Sequence, residues 1–242
     1  MFNFIFNKES KSPDNIYITG DLNLQSYRLM VKLDMRKIIN SHIIVLGNFG
    51  IGQLNNKIEY NNLTNINNKL VENNNKLYLL RGNLDDEKIF KKYNNIFSNI
   101  KFTENLEIVK IENINFLFIG GSITYDRSIY FDHFREKIST FNLIDIPYNK
   151  KINIILSHEN VDFIYPYNFN NIKINSKYDK WLLNDVKKDR KKLSEVYNIL
   201  KNTRKLDITH WYSSKHDVNK IEEKNNVKFI QLKKLNIEKL II

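Results

Sequence analysis

The chain has no cysteine among its 242 residues, seven glycines and three prolines. Without cysteine there can be neither a disulfide framework nor thiolate chemistry, and the expected setting is cytoplasmic. No apolar run approaches the roughly 20 residues that a membrane-spanning helix needs. Met1-Phe2-Asn3-Phe4-Ile5-Phe6 is short and lacks both a leading positive charge and a small-residue cleavage site, so it does not read as a secretory signal. No Pro/Gly/Ser-rich linker divides the chain. It is expected to be a 1–15 extension followed by one domain over 16–242, with no membrane partner.

What the sequence has in excess is Lys, Asn and Ile. The formal net charge of +11 leaves nucleic acid open as a partner, because clustered cations release counterions from phosphates. Codons of an AT-rich genome also supply these residues, and acidic side chains interrupt the lysine runs. Lys187-Lys188-Asp189-Arg190-Lys191-Lys192 is therefore read as the solvated face of a helix.

The scarce glycines are placed with a pattern. Ile16-Tyr17-Ile18-Thr19 runs into Gly20-Asp21, Ile43 to Leu46 into Gly47-Asn48, Lys76 to Leu80 into Arg81-Gly82-Asn83, and Phe116 to Ile119 into Gly120-Gly121. Ile152 to Leu156 ends in Ser157-His158. Each is a short apolar strand that stops at polar residues, the grammar of an α/β sheet whose strand ends build a site. Leu24 to Asn40, with Leu29, Leu33, Met35 and Ile39, is expected to form an amphipathic helix. The second half of Asn55 to Asn75, a short helix from Asp85 to about Tyr93, and Leu182 to Lys201 are expected helices as well. Leu106 to Ile111 and Ile114 to Ile119, joined by Glu112-Asn113, read as a hairpin. The long connection Gly120 to Lys151, which carries Tyr125-Asp126-Arg127, reads as irregular and functional or mobile. Leu206 to Thr209, Val227 to Leu232 and Leu235 to Ile242 read as strands closing a second sheet, with Ser213 to Lys220 as a polar loop.

From about Ile16 to about Leu232 the order of these strand-end motifs resembles the calcineurin-like metallophosphoesterases, in particular small members from phages and low-GC bacteria. The resemblance implies a layered α/β/β/α sandwich of two mixed sheets flanked by helices. It also implies a site in which two metal ions activate water and neutralise a phosphate. The family's motifs map onto Gly20-Asp21-Leu22-Asn23, Gly47-Asn48-Phe49-Gly50, Gly82-Asn83-Leu84-Asp85, Ser157-His158 and Ser214-Lys215-His216-Asp217, with His210-Trp211-Tyr212 before the last and Gly120-Gly121-Ser122 as a further matching loop.

The departures are chemical. Asn23 stands for a ligand histidine, Asn48 for the carboxylate that bridges both metals, Leu84 for the histidine that assists the leaving group, and Lys215 for a metal-binding imidazole. A neutral amide cannot screen two dications, and a fixed ammonium opposes metal occupancy. What remains is Asp21, Asn23, Asn48, Asn83, His158 and Asp217, an oxygen-rich set suited to no metal or to one weakly held Mn²⁺, Mg²⁺ or Ca²⁺. No catalytic residue is assigned; His158 and Asp85 stand as vestiges. His158 reads equally as ligand or as a hydrogen-bonded strand-end histidine, and Asp21 as ligand or as the anion preceding a helix. Asp85 and Asp86 read as stabilising a helix start. Lys215 and His216 are candidate phosphate contacts, His216 also a candidate replacement ligand.

Two functions follow from the resemblance. The favoured one is a catalytically inactive binding, regulatory or structural protein, with a protein partner preferred and a phosphate-bearing ligand possible. The alternative is a divergent one-metal phosphoesterase acting on a phosphate monoester or diester.

Overall fold

A computed structural model describes residues 15–125, 145–146, 150–164, 169–203 and 206–241. Residues 1–14 of the extension expected over 1–15 and most of the connection after Tyr125 lie outside the described residues, while Asn15 already belongs to the first strand.

Two sheets carry the fold. The first contains β1 (Asn15–Thr19), β2 (Ser41–Val45), β3 (Lys76–Leu79) and β4 (Ile100–Phe102), all parallel, with β11 (Ile237–Lys239) antiparallel beside β1. The second runs in the order β5 (Glu107–Ile111), β6 (Ile114–Ile119), β7 (Ile154–Ser157), β8 (His210–Ser213), β10 (Val227–Gln231), β9 (Lys220–Lys224). Its four inner strands are parallel and both edge strands antiparallel. The period-two pattern of each inner strand sorts its side chains between two layers. In β2 Ile44 faces the other sheet, packing with Ile18, Tyr78, Phe116, Phe118, Leu156 and Tyr212. Ile43 and Val45 face the helices.

The outer layers are helical. α1 (Ser26–Met35), α2 (Asn56–Glu72) and α3 (Glu87–Lys92) cover the first sheet through Leu29, Leu33, Leu63, Leu70 and Phe90. α5 (Leu182–Asn198) covers the second through Leu193, Val196 and Tyr197, which meet Trp211 and Phe229. α4 (Phe169–Asn175) precedes it. The result is an α/β/β/α sandwich, with each fully buried aliphatic or aromatic side chain worth about 1.5–3 kcal/mol of transfer free energy. No helix among the described residues is long and apolar enough to cross a membrane.

Several elements differ from the sequence expectation. α1 stops at Met35, and Met35 and Ile39 are exposed while Met30 is buried. The Asn-rich stretch is helical over nearly its whole length, starting at the Asn55 cap whose side chain accepts the Lys57 N–H at 3.0 Å. The strand expected over Leu206–Thr209 begins only at His210, and β9 is an additional strand that starts where the polar loop Ser213 to Lys220 ends. β11 joins the first sheet rather than the second, because its register with β1 places Ile237 in the helix-side core. β4, only three residues long, carries no readable period.

Candidate functional site

The C-terminal ends of parallel strands from both sheets meet at one place. Asp21 follows β1, Asn48 follows β2, Asn83 follows β3, His158 follows β7, and Lys215 follows β8. The sheets are stitched here by the Leu46 carbonyl, which accepts from His158 Nδ1 at 2.8 Å and from Ser214 Oγ at 2.6 Å. Gly47 lies so close beneath the imidazole that a Cβ on it would stand 2.3 Å from His158 Nδ1. Its φ of +110° is one that side-chain-bearing residues avoid.

Asn48 is the hub. Its Oδ1 accepts the Leu84 N–H at 2.9 Å. A backbone N–H can only donate, so the amide's orientation is fixed and Nδ2 faces the cluster. There Nδ2 donates to Asp21 Oδ2 at 2.9 Å and lies 3.3 Å from Asn83 Oδ1 and 3.4 Å from His158 Nε2. Asp21 also accepts the Asn23 N–H at 2.5 Å. Burial raises the Asp21 carboxyl to about 6, against the lowering of these two donors and Lys234, with the Asp85 charge adding to the rise.

His158 is fully enclosed. Burial, with the Lys215 charge next, lowers it to about 3, so the ring is neutral. Because Nδ1 meets a carbonyl, that nitrogen carries the proton and Nε2 is a bare acceptor. Nε2 lies 2.8 Å from the Asn83 side-chain amide, whose other end is 3.1 Å from Thr124 Oγ1. With that amide turned so that its NH₂ meets Nε2 and its oxygen meets the Thr124 hydroxyl, the groups complement one another.

Asp85 does more than start a helix. Its carboxylate is buried and accepts from the backbone N–H groups of Gly82 and Gly50, both at 2.8 Å, Ile51 at 3.0 Å and Phe49 at 3.3 Å. Burial raises its pKa while these four donors lower it. It thereby clamps the loop after β2 against the loop after β3 and holds Asn48 in place. Asp86 is the helix cap, accepting the Ile89 N–H at 2.9 Å.

Two expected members are not brought in. Asn23 and Asp217 are exposed, and both serve Lys234: Asn23 Oδ1 accepts from its Nζ at 3.4 Å and Asp217 Oδ1 from its backbone N–H at 3.1 Å. Among the described residues no three His, Asp, Glu or Cys side chains converge as a metal would require. The Asp21 oxygen and the His158 nitrogen do converge, but on the Asn48 NH₂. With an amide at Asn48 and with Asn23 and Asp217 turned outward, the residues present do not fit the two-metal centre implied by the resemblance.

Lys215 and His216 belong to an adjoining buried network. Lys215 Nζ donates to Ser122 Oγ at 2.6 Å and to the Ile123 carbonyl, and it sits 4.5 Å from the centre of the Tyr125 ring. His216 Nε2 is 3.0 Å from Glu159 Oε1, Tyr125 donates to Glu159 Oε2 at 2.7 Å, and Arg190 Nη1 lies 3.6 Å from Oε1. Although burial raises Glu159, His216, Arg190 and Lys215 together hold it well below the usual carboxylate range. Sequence reading missed Glu159 and Arg190. The adjacency of Glu159 to His158 at a strand end was the available signal for the first. Arg190 stood in a charge run read as solvated, yet Arg190 and Asp189 are buried on the inner side of α5.

The fold and site define a two-sheet α/β sandwich with a closed polar cluster at its shared strand edge. The chain is similar to phosphopantetheinyl hydrolase (PptH) from Mycobacterium tuberculosis, with a TM-score of 0.47 and 8% identity over 91% of this chain and 89% of that one. It is also similar to GAP50, the anchor in the inner membrane complex of Plasmodium, with a TM-score of 0.42 and 12% identity over 90% of this chain and 71% of that one. No protein-family model matches the chain, and no curated protein matches it in sequence.

Proposed function

We propose that this chain is a calcineurin-like metallophosphoesterase that has kept the layered fold, lost the two-metal reaction, and works as a binding, regulatory or structural protein, with another protein as its partner. The observation that carries the reading is the Asn48 amide, which donates to Asp21 Oδ2 at 2.9 Å and lies within 3.4 Å of His158 Nε2. In a two-metal phosphoesterase the corresponding group is an anion shared by two cations, and here a neutral donor satisfies the acceptors that the cations would have occupied. Chemistry is opposed on a second count. Leu84 stands where an acid for the leaving group is needed, and it can neither donate a proton nor stabilise developing charge.

The same geometry tells what restoring the anion would do. Asn48→Asp places a second carboxylate against a buried Asp21, so one of the two must hold a proton or attract a cation. The variant is expected to unfold at lower temperature than the parent in metal-free buffer and to recover in Mn²⁺, while the parent is indifferent to Mn²⁺. A parent protein that gains as much from Mn²⁺ as the variant and hydrolyses a phosphodiester would overturn the reading.

A further inference from the structure

Helix α1 is apolar on two faces. Leu29, Met30 and Leu33 are buried in the core, whereas Tyr27, Val31 and Met35 stand on the opposite side with relative exposures of 62%, 51% and 78%. Their spacing of four residues aligns them in one seam about 12 Å long. Leu24 before the helix and Ile39 after it are exposed as well, at 42% and 59%. Leu24 is held out by a left-handed backbone at φ +66°, beside Asn23 at φ +48°, a conformation that a leucine adopts only at a cost. Solvent gives no reason for an apolar residue at each of these positions when lysine or asparagine fills so much of the remaining surface.

The flank of the seam is cationic. From Arg28 to Lys37 the charged residues are Arg28, Lys32, Asp34, Arg36 and Lys37, and the one acid is already paired with Lys69 of α2. Lys32 and Arg36 are pinned along one side by the Leu235 and Ile237 carbonyls, at 2.7 Å and 2.8 Å. Their charges are thus ordered at the seam's edge. A second copy of this chain would bring the same cations face to face, in a protein whose net charge is already +11. A membrane surface needs a wide apolar face, and half of this helix's apolar surface is spent on its own core.

We infer that the outer face of α1 is the docking site for an acidic amphipathic helix of a partner protein, with the partner's apolar ridge seated along Tyr27, Val31 and Met35 and its carboxylates beside Arg28, Lys32 and Arg36. A helix laid on a helix uses such a ridge at this spacing, and the ordered cations fix partner choice and orientation. The inference goes beyond the reading of the Asn48 cluster and stands whatever metal that cluster holds.

The test uses the full chain and two labelled helical peptides of about four turns. Both carry leucine at the same heptad positions, and they differ in having glutamate or lysine at the flanks. Fluorescence anisotropy is expected to show saturable, salt-sensitive binding of the glutamate peptide alone. Val31→Glu/Met35→Glu should weaken it at least about tenfold, or 1.4 kcal/mol. Tyr27→Ser, a milder change, should weaken it less. Both variants should keep the parent's thermal unfolding, because the side chains are exposed, and its metal content. Three results overturn the inference: equal affinity for the two peptides or none for either; co-sedimentation with vesicles of phosphatidylcholine and phosphatidylserine without peptide binding; and a dimer of this chain that the double substitution dissociates.

Discussion

The backbone N–H of Leu84 donates to Asn48 Oδ1 at 2.9 Å, and that bond decides which end of the Asn48 amide faces Asp21 and His158. An aspartate at position 48 would present an acceptor at both ends. The asparagine presents a donor, and a cluster of acceptors that would otherwise call for a cation closes on a hydrogen-bond donor from the chain itself.

Gly82 is the steric partner of that arrangement. A Cβ there would lie 2.1 Å from Asn48 Oδ1 and 2.3 Å from its backbone nitrogen. Gly82→Ala is expected to cost about 2–4 kcal/mol, in the range of overpacking and a broken buried network. Gly120→Ala, whose Cβ would approach its neighbours no closer than 3.0 Å, should cost less. Urea unfolding of the two variants checks the order.

Asp85→Asn tests the clamp. The substitution turns an acceptor of four backbone N–H groups into a group with a donor at one end, so at least one buried N–H loses its partner, at about 1–3 kcal/mol. The loosening should be local. Hydrogen exchange is expected to speed up at Phe49, Gly50 and Ile51 and to remain slow in β6 and β7.

Two groups give stability opposite pH slopes. His158 falls to about 3 in the fold against roughly 6.5 when unfolded. The unfolded chain therefore binds the proton first, and stability is lost as pH drops below about 6.5, by up to about 4 kcal/mol near pH 3. Asp21 rises to about 6 from roughly 3.9. Here the folded chain binds the proton first, and stability declines as pH climbs from about 4 to about 6, by up to about 3 kcal/mol. His158→Gln should remove the first slope and Asp21→Asn the second, as read from denaturation midpoints across that pH range.

The fold was legible because strand ends are punctuated by glycine and because alternating apolar residues declare the inner strands. Asp21, Asn48, Asn83 and His158 were legible for the same reason, each being the first polar residue or nearly so after its strand. Asn23 and Asp217 misled because sequence spacing says nothing of which way a loop side chain turns, and Lys234, distant in sequence, attracts both. Met35 and Ile39 misled differently: helical period identifies a stripe but not whether the stripe faces the core. Arg190 was hidden in a lysine-rich run, where only the packing of α5 separates the inward Asp189 and Arg190 from the lysines around them.

Glu159→Gln probes the network that composition concealed. It leaves Arg190 and Lys215 buried without the carboxylate that they share with His216, a loss expected to cost about 3–5 kcal/mol. Lys215→Met removes a cation and keeps the stem's packing, so it should cost less. Chemical denaturation of both variants at neutral pH measures the difference.

The central claim is that the Asn48 amide takes the place of a metal. Its most direct test is the metal content of the purified protein after incubation with Mn²⁺ and removal of free ion, read together with turnover of a phosphomonoester and a phosphodiester. The account predicts well under one equivalent of bound metal and no turnover above buffer. Two equivalents with turnover, or one equivalent that is lost in His158→Gln, would contradict it.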